Sequence, residues 1–199
     1  MHESKDKCLA VGECGLDYDR FEFADKETQL AVFPKHFELA EKTGLPLYLH
    51  SRNTGGDFAR IVRQYRDSFS KGVVHSFTGD LIELRELLDL DLYIGVNGCS
   101  LKTPENIDVV RAIPLDKLLI ETDCPYCEIR KSSSAYQYVK THYSYKHKNK
   151  WDPEYLVRGR NEPCNLLQVL EAVSAIKEVP QHELANLTFE NSLSFFNLA

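Results

Sequence analysis

The chain has no run of about 18 consecutive apolar residues, so no segment reads as a membrane-spanning helix. Its opening, MHESKDKCLAVGECG, lacks the apolar stretch of a secretory leader, and none is expected. An excess of positive charge is also missing. Lys and Arg total 24 against 30 Asp and Glu, for a net charge of −6. That excludes a wholly basic nucleic-acid coat and still leaves room for a local basic patch. Collagen-like, disordered and coiled-coil classes are excluded by an ordinary balance of 43% hydrophobic and 27% charged residues. A chain of 199 residues can bury a core and is expected to form a single domain. The six Cys (8, 14, 99, 124, 127 and 164), in a chain without a leader, read as reduced thiols of an intracellular protein of the nucleus or cytoplasm.

The charge is unevenly placed. Residues 130–161 hold eight cations (Arg130, Lys131, Lys140, Lys146, Lys148, Lys150, Arg158, Arg160) and two acids (Asp152, Glu154), so this segment is +6 and the remainder is −12. The same segment carries five Tyr and the one Trp, Trp151. Cations interleaved with rings suit a polyanion with flat bases, because the cations track phosphates and the rings offer stacking platforms. The alternative is a solvated loop whose aromatics pack down. YKHKNK (145–150) also resembles, faintly, a nuclear-address cluster.

Short apolar runs recur, each ending in a polar residue. Cys8–Gly12 ends at Glu13, Leu45–Leu49 at His50, Val73–Val74 at His75 and Leu92–Val96 at Asn97, while Leu118–Ile120 leads to Glu121–Asp123. These read as buried parallel strands, which need not alternate in and out. Between them lie helical patterns. Asp25 is placed to cap a helix through Thr43, with Gly44 as its stop and Pro34 predicting a kink or a late start. Asp57–Tyr65, Asp80–Leu88 and Pro104–Ala112 follow, then Pro163–Ile176, Gln181–Leu187 and Phe189–Phe196. The spacing is that of repeated βα units, with five strands. A closed eight-stranded barrel takes about 250 residues. The expectation is therefore an open α/β sheet or an incomplete barrel.

In parallel α/β folds, functional side chains gather where strands end. Glu13, His50, His75 and Asp123 are metal-competent groups at four of the five ends. Two imidazoles and two carboxylates suit Zn²⁺, Mn²⁺ or Mg²⁺, and such a set can bridge two ions that activate water against a phosphodiester. Any one of these residues alone reads more simply as a hydrogen-bonded structural group. Cys124-Pro125-Tyr126-Cys127 has the dithiol spacing of glutaredoxins, but it follows four strand–helix units rather than the first strand, and no redox activity is expected from it.

Together, AVGECGLDYDR (10–20), LPLYLHSRN (45–53), GVVHSFTGD (72–80), LYIGVNGCSLKT (92–103), LLIETDCP (118–125) and RNEPCNL (160–166) resemble the TatD-like deoxyribonuclease family, whose fold is a TIM barrel. The resemblance implies metal-dependent hydrolysis of DNA with two divalent ions. It implies that Glu13 bridges the ions, that His50 and His75 ligate one, and that Asp123 ligates the other and orients or deprotonates the attacking water. Asp17, Arg52 and Arg160 would hold substrate phosphates. The segment 130–161 would be a basic, aromatic-rich insertion, and DNA would be the partner, with no membrane. A non-catalytic nucleic-acid-binding fragment and a hydrolase of some other substrate are the alternatives. Members of the family carry three further βα units before the strand of GECGLD, including a His-x-His motif, whereas the nearest His here is His2. The expectation is thus five of eight strands. Sheet edges left unpaired would favour self-association, low stability and weak cleavage.

Overall fold

The structure is a computed structural model that describes residues 7–198; His2 is among the six N-terminal residues that, with Ala199, lie outside the described residues. Five strands form one sheet in chain order: β1 (Val11–Asp17), β2 (Leu47–Arg52), β3 (Gly72–Val74), β4 (Tyr93–Val96) and β5 (Leu118–Ile120). The pairings from β1 through β4 are parallel. Each crossover carries a helix, in order α1 (Lys26–Thr43), α2 (Asp57–Gln64), α3 (Leu81–Asp89) and α4 (Pro104–Ala112). Two short strands, β6 (Tyr145–Lys146) and β7 (Leu156–Val157), pair by themselves, and α5 (Leu166–Lys177) and α6 (Gln181–Phe195) follow. Among the described residues no helix is long and apolar enough to cross a membrane.

Local chemistry sets the helix ends. The Asp25 carboxylate accepts from the Thr28 N–H at 2.8 Å, and Gly44, in the left-handed region at φ 70°, returns its N–H to the Ala40 carbonyl at 2.8 Å. Asp80 caps α3 by accepting from Ile82 and Glu83, and Thr103 with Asn106 forms a capping box on α4. Pro34 does not delay the start of α1, which runs from Lys26 to Thr43 with the proline inside it. Aromatic packing next to the proline holds the helix in place: Phe33 meets Phe37 of the same helix at 4.9 Å and Phe58 of α2 at 5.5 Å.

Several boundaries differ from those read off the sequence. β1 and β2 run past Glu13 and His50 to Asp17 and Arg52, because polar residues there stay paired in the ladder. The side chains of β2 also alternate, with Leu47, Leu49 and Ser51 buried and their neighbours half-buried. Pro163 opens a 3-10 turn and α5 begins only at Leu166. Gln181–Leu187 and Phe189–Phe196 are one helix through Thr188, whose hydroxyl donates to the Leu184 carbonyl at 2.9 Å, one turn back.

The chain groups into two compact units. One contains the chain up to His75, Gly79–Ile94 and the residues from Phe189 on; the other contains Ser76–Thr78 and Gly95–Thr188. The first packs Phe33, Phe37, Phe58, Leu47, Leu49 and Leu87 into its core, and the second packs Leu101, Val110, Leu118, Ala172 and Val173. Truncating one of the buried Phe residues to Ala would cost about 3–5 kcal/mol.

Candidate metal centre

The first unit brings Glu13, His50 and His75 together through strand register. Gly12 pairs with Tyr48 and Cys14 with Leu49, so Glu13 is an extra residue in β1 with no partner on β2. A regular ladder would set Glu13 opposite Leu49, whose side chain is fully buried. The bulge re-aims it. Close approach of the two backbones depends on the flanking glycines. A Cβ on Gly12 would lie 2.5 Å from the Tyr48 carbonyl oxygen, and one on Gly15 would lie 1.9 Å from that of His50. β3 then places His75, whose backbone N–H donates to the Leu49 carbonyl at 2.9 Å and whose ring stacks on Tyr48 at 5.0 Å.

Glu13 Oε1 lies 2.8 Å from His75 Nε2 and 3.0 Å from His50 Nδ1, and the two ring nitrogens are 3.2 Å apart. These hydrogen bonds, first from His50 and then from His75, hold the Glu13 carboxyl well below the usual carboxylate range. On its other side His50 Nε2 lies 3.0 Å from Asp17 Oδ2, with Arg52 Nη1 3.8 Å beyond. Burial, with Glu13 nearby, pushes the Cys14 thiol up to about 12, so it is unreactive. A groove of about 430 Å³ opens beside this cluster, reached by Glu13, Asp17, Arg20, Phe23, Gln29 and His50.

The chemistry of this donor set fits a divalent cation. One carboxylate oxygen and two imidazole nitrogens converge within 4.8 Å of one another. Two imidazole nitrogens facing each other, and both facing one carboxylate oxygen, have room for one shared proton or one cation. Neutral imidazole with carboxylate is a donor set for Zn²⁺, and the carboxylate also suits Mn²⁺ and Mg²⁺. The carboxylate on the far nitrogen of His50 completes a common metal-site arrangement.

Asp123 and Arg160 belong to the second unit and are not part of the Glu13–His50–His75 group. Asp123 follows β5 in the left-handed region at φ 52°, a conformation that costs a non-glycine residue energy. Its Oδ2 accepts from the Cys127 thiol at 3.2 Å. Contact with Cys99, burial and Asp123 together drive the Cys127 thiol far up, the opposite of the acidic thiol that glutaredoxin chemistry needs. Arg160 pairs with Glu162 at 2.9 Å.

Three residues that shape these sites were not singled out for a role by the sequence, although Asn97 and Asn161 lie within its motifs. Gln29, one turn into α1, accepts from the Asp17 N–H at 2.7 Å and donates to the Asp17 carbonyl at 2.8 Å, locking the end of β1. Asn161 is buried and donates to the carbonyls of Thr122 and Tyr126 at 2.8 and 2.7 Å, tying down the turn that bears Asp123. Asn97 is also buried, and its amide donates to the Ser76 hydroxyl at 2.9 Å, while Glu121 accepts from the Ser76 N–H.

Comparison with known proteins adds a lineage. The family described as TatD related DNase has a model that matches residues 2–197. Deoxyribonuclease Tat-D of Schizosaccharomyces pombe is 46% identical over 194 residues, covering 96% of this chain and 62% of that protein. Deoxyribonuclease Tat-D of Saccharomyces cerevisiae is 36% identical, with 94% and 56% covered. A crystal structure of a TatD-family hydrolase from Entamoeba histolytica matches with a TM-score of 0.93 and 36% identity, over 98% of this chain and 65% of that one. The chain therefore spans less than two thirds of the length of each of these proteins. The fold is of the α/β TIM-barrel type, and the chain contributes five of its strands.

Proposed function

The chain belongs to the TatD-related DNase family, and on that premise we propose that it is a metal-dependent deoxyribonuclease whose Glu13, His50 and His75 would hold one divalent cation and whose Asp123 would ligate a second. The observation that carries the reading is the convergence of one carboxylate and two imidazoles on a single point beside an open groove. We assign two ions of Mg²⁺, Mn²⁺ or Zn²⁺ to the reaction, with DNA as substrate, as the names of the Tat-D relatives suggest.

When bound, divalent cations supply Lewis-acid polarisation of the phosphodiester and lower the pKa of water. The side chains do the rest. Glu13, held ionised by its two histidines, contributes the negative charge that a cation needs. Asp17 keeps the outer nitrogen of His50 engaged, so that Nδ1 faces Glu13. Asp123 is the carboxylate we assign to orient the attacking water and take its proton. Arg52 and Arg160 are the cations we assign to substrate phosphates.

The test is divalent-dependent cleavage of a DNA oligonucleotide by the 199-residue chain. Chelator is expected to stop it. Glu13→Gln, His75→Ala and Asp123→Asn are each expected to lower turnover by more than the ~10–100-fold that loss of an outer hydrogen-bond partner costs. Cleavage that persists in chelator, or that is equal in His75→Ala, would overturn the reading.

A further inference from the structure

We propose that the loop 147–155 is a stacking platform for single-stranded DNA, with the Trp151 indole receiving a base and Lys148 and Lys150 tracking the flanking phosphates. The proposal rests on the nuclease reading for the identity of its ligand and adds a substrate-holding site to it.

The structure divides the aromatics of 130–161 into two sets. The Tyr143 hydroxyl donates to the Cys164 carbonyl at 3.1 Å, Tyr136 lies against His142 at 5.8 Å, and Tyr138 and Tyr145 are half-buried. These rings are structural. Trp151 is different: it is 64% exposed, and Tyr155 four residues on is 37% exposed. An indole left in water forgoes the stabilisation that its burial would bring.

The loop that presents Trp151 is closed without using its ring. β6 and β7 pair at its base, with Tyr145 opposite Leu156 and Lys146 opposite Val157. The Leu156 N–H donates to the Ser144 carbonyl at 3.1 Å and the Arg158 N–H to that of Lys146 at 3.0 Å. Within the loop the Lys150 N–H donates to the His147 carbonyl at 2.7 Å, and the Tyr155 N–H to that of Asp152 at 3.0 Å. Trp151 sits between those two turns.

The charges are arranged for an anion. Asp152, beside Trp151, is engaged by the Lys146 ammonium at 2.6 Å, and the same ammonium lies 3.9 Å from the centroid of the Tyr155 ring. The acid next to Trp151 in sequence is thereby paired, and Glu154, three residues on, is the other acid of the loop and is exposed. Lys148 and Lys150 are exposed on the 3-10 turn leading into Trp151, and Arg158 is exposed just beyond β7. A duplex hides the faces of its bases, so an exposed ring flanked by cations selects an unpaired strand.

Trp151 is the single Trp of the chain, so its emission reports the site directly. The 199-residue chain is mixed, in chelator to prevent hydrolysis, with labelled oligothymidine of about 16 nucleotides. Anisotropy of the label and Trp151 emission are followed together. Saturable quenching that tracks anisotropy is expected. Trp151→Ala is expected to weaken binding by about 5- to 100-fold and Trp151→Phe by less. Lys148→Gln and Lys150→Gln should each reduce the slope of log K against log salt by about 0.7. All four substitutions lie on the surface, and their melting curves should match that of the parent. The proposal is overturned by absent binding, by unaltered affinity in Trp151→Ala, by emission that does not move at saturation, or by equal or tighter binding of duplex DNA. A chain that binds in chelator but never cuts would sink the nuclease reading and leave the platform standing; one that cuts with no dependence on Trp151 would do the reverse.

Discussion

His50 and Asp17 face each other across β1 and β2, with Nε2 of the imidazole 3.0 Å from Oδ2 of the carboxylate, while Nδ1 of the same ring lies 3.0 Å from Glu13. The carboxylate takes the outer nitrogen and so fixes which nitrogen is left to bind a cation. Asp17→Asn is expected to weaken Zn²⁺ or Mn²⁺ binding by about 10–100-fold while leaving the fold intact. Isothermal titration of the metal, with a thermal melt as control, checks it. Undiminished affinity would assign Asp17 elsewhere, for example to the Arg52 guanidinium 3.8 Å away.

Gly15 is expected to be intolerant of any side chain. A Cβ there would lie 1.9 Å from the His50 carbonyl oxygen and 2.9 Å from its nitrogen, both backbone atoms that cannot swing aside, at a φ of 154°. Gly15→Ala should cost on the order of 3 kcal/mol, the upper range for overpacking. In a chain of this size that lowers the melting temperature by about 6–12 °C. Because the strain falls on His50, metal affinity should drop with it. A melt equal to that of the parent protein would show that the strands separate more easily than their register implies.

Glu171 on α5 ties down the basic segment at Lys140 and Thr141. Its Oε2 accepts from the N–H groups of Lys140 and Thr141 at 2.8 and 2.9 Å, and its Oε1 accepts from the Thr141 hydroxyl at 2.5 Å. Burial works to raise its pKa, but the bonds from Thr141 and Lys140 prevail and the pKa lies below the ordinary 4.5. A depressed folded-state pKa means that the ionised form adds stability above the unfolded value and loses it as pH falls through the folded one. Glu171→Gln should therefore destabilise by about 1–3 kcal/mol near neutrality. The gap to the parent should stay level down to about pH 4.5 and narrow below it. Urea melts at several pH values measure this, and a gap that widens in acid would contradict it.

Much of the scaffold was legible because local chemistry and tertiary structure agree. Pro104–Ala112 has its proline at the first turn and Thr103 before it, and the helix forms over that span. β4 and β5 are apolar runs that end where the ladder ends. The reading failed where polarity was taken as a stop. Glu13 and His50 continue their strands because one face of the sheet there looks toward polar partners, so hydrophilic residues do not end the pairing. β6 and β7 are two residues each and have no periodicity to detect. For the site, the donor types could be picked out, but which donors meet is decided by register. Gln29 and Asn161 act through amides on distant backbone groups; nothing around Gln29 sets it apart, and Asn161 lies in the RNEPCNL motif, which does not say which carbonyls its amide reaches.

The unpaired position of Glu13 makes the length of β1 as consequential as its composition. Were one residue deleted between Val11 and Cys14, all donor types could survive and the ladder could become regular. The acid would then take the place of Gly12 opposite Tyr48, where a Cβ lies 2.5 Å from the Tyr48 carbonyl oxygen, and the two strands could no longer approach as closely. In this lineage, a single-residue gap ahead of the cysteine would mark a protein whose first two strands meet in a different way.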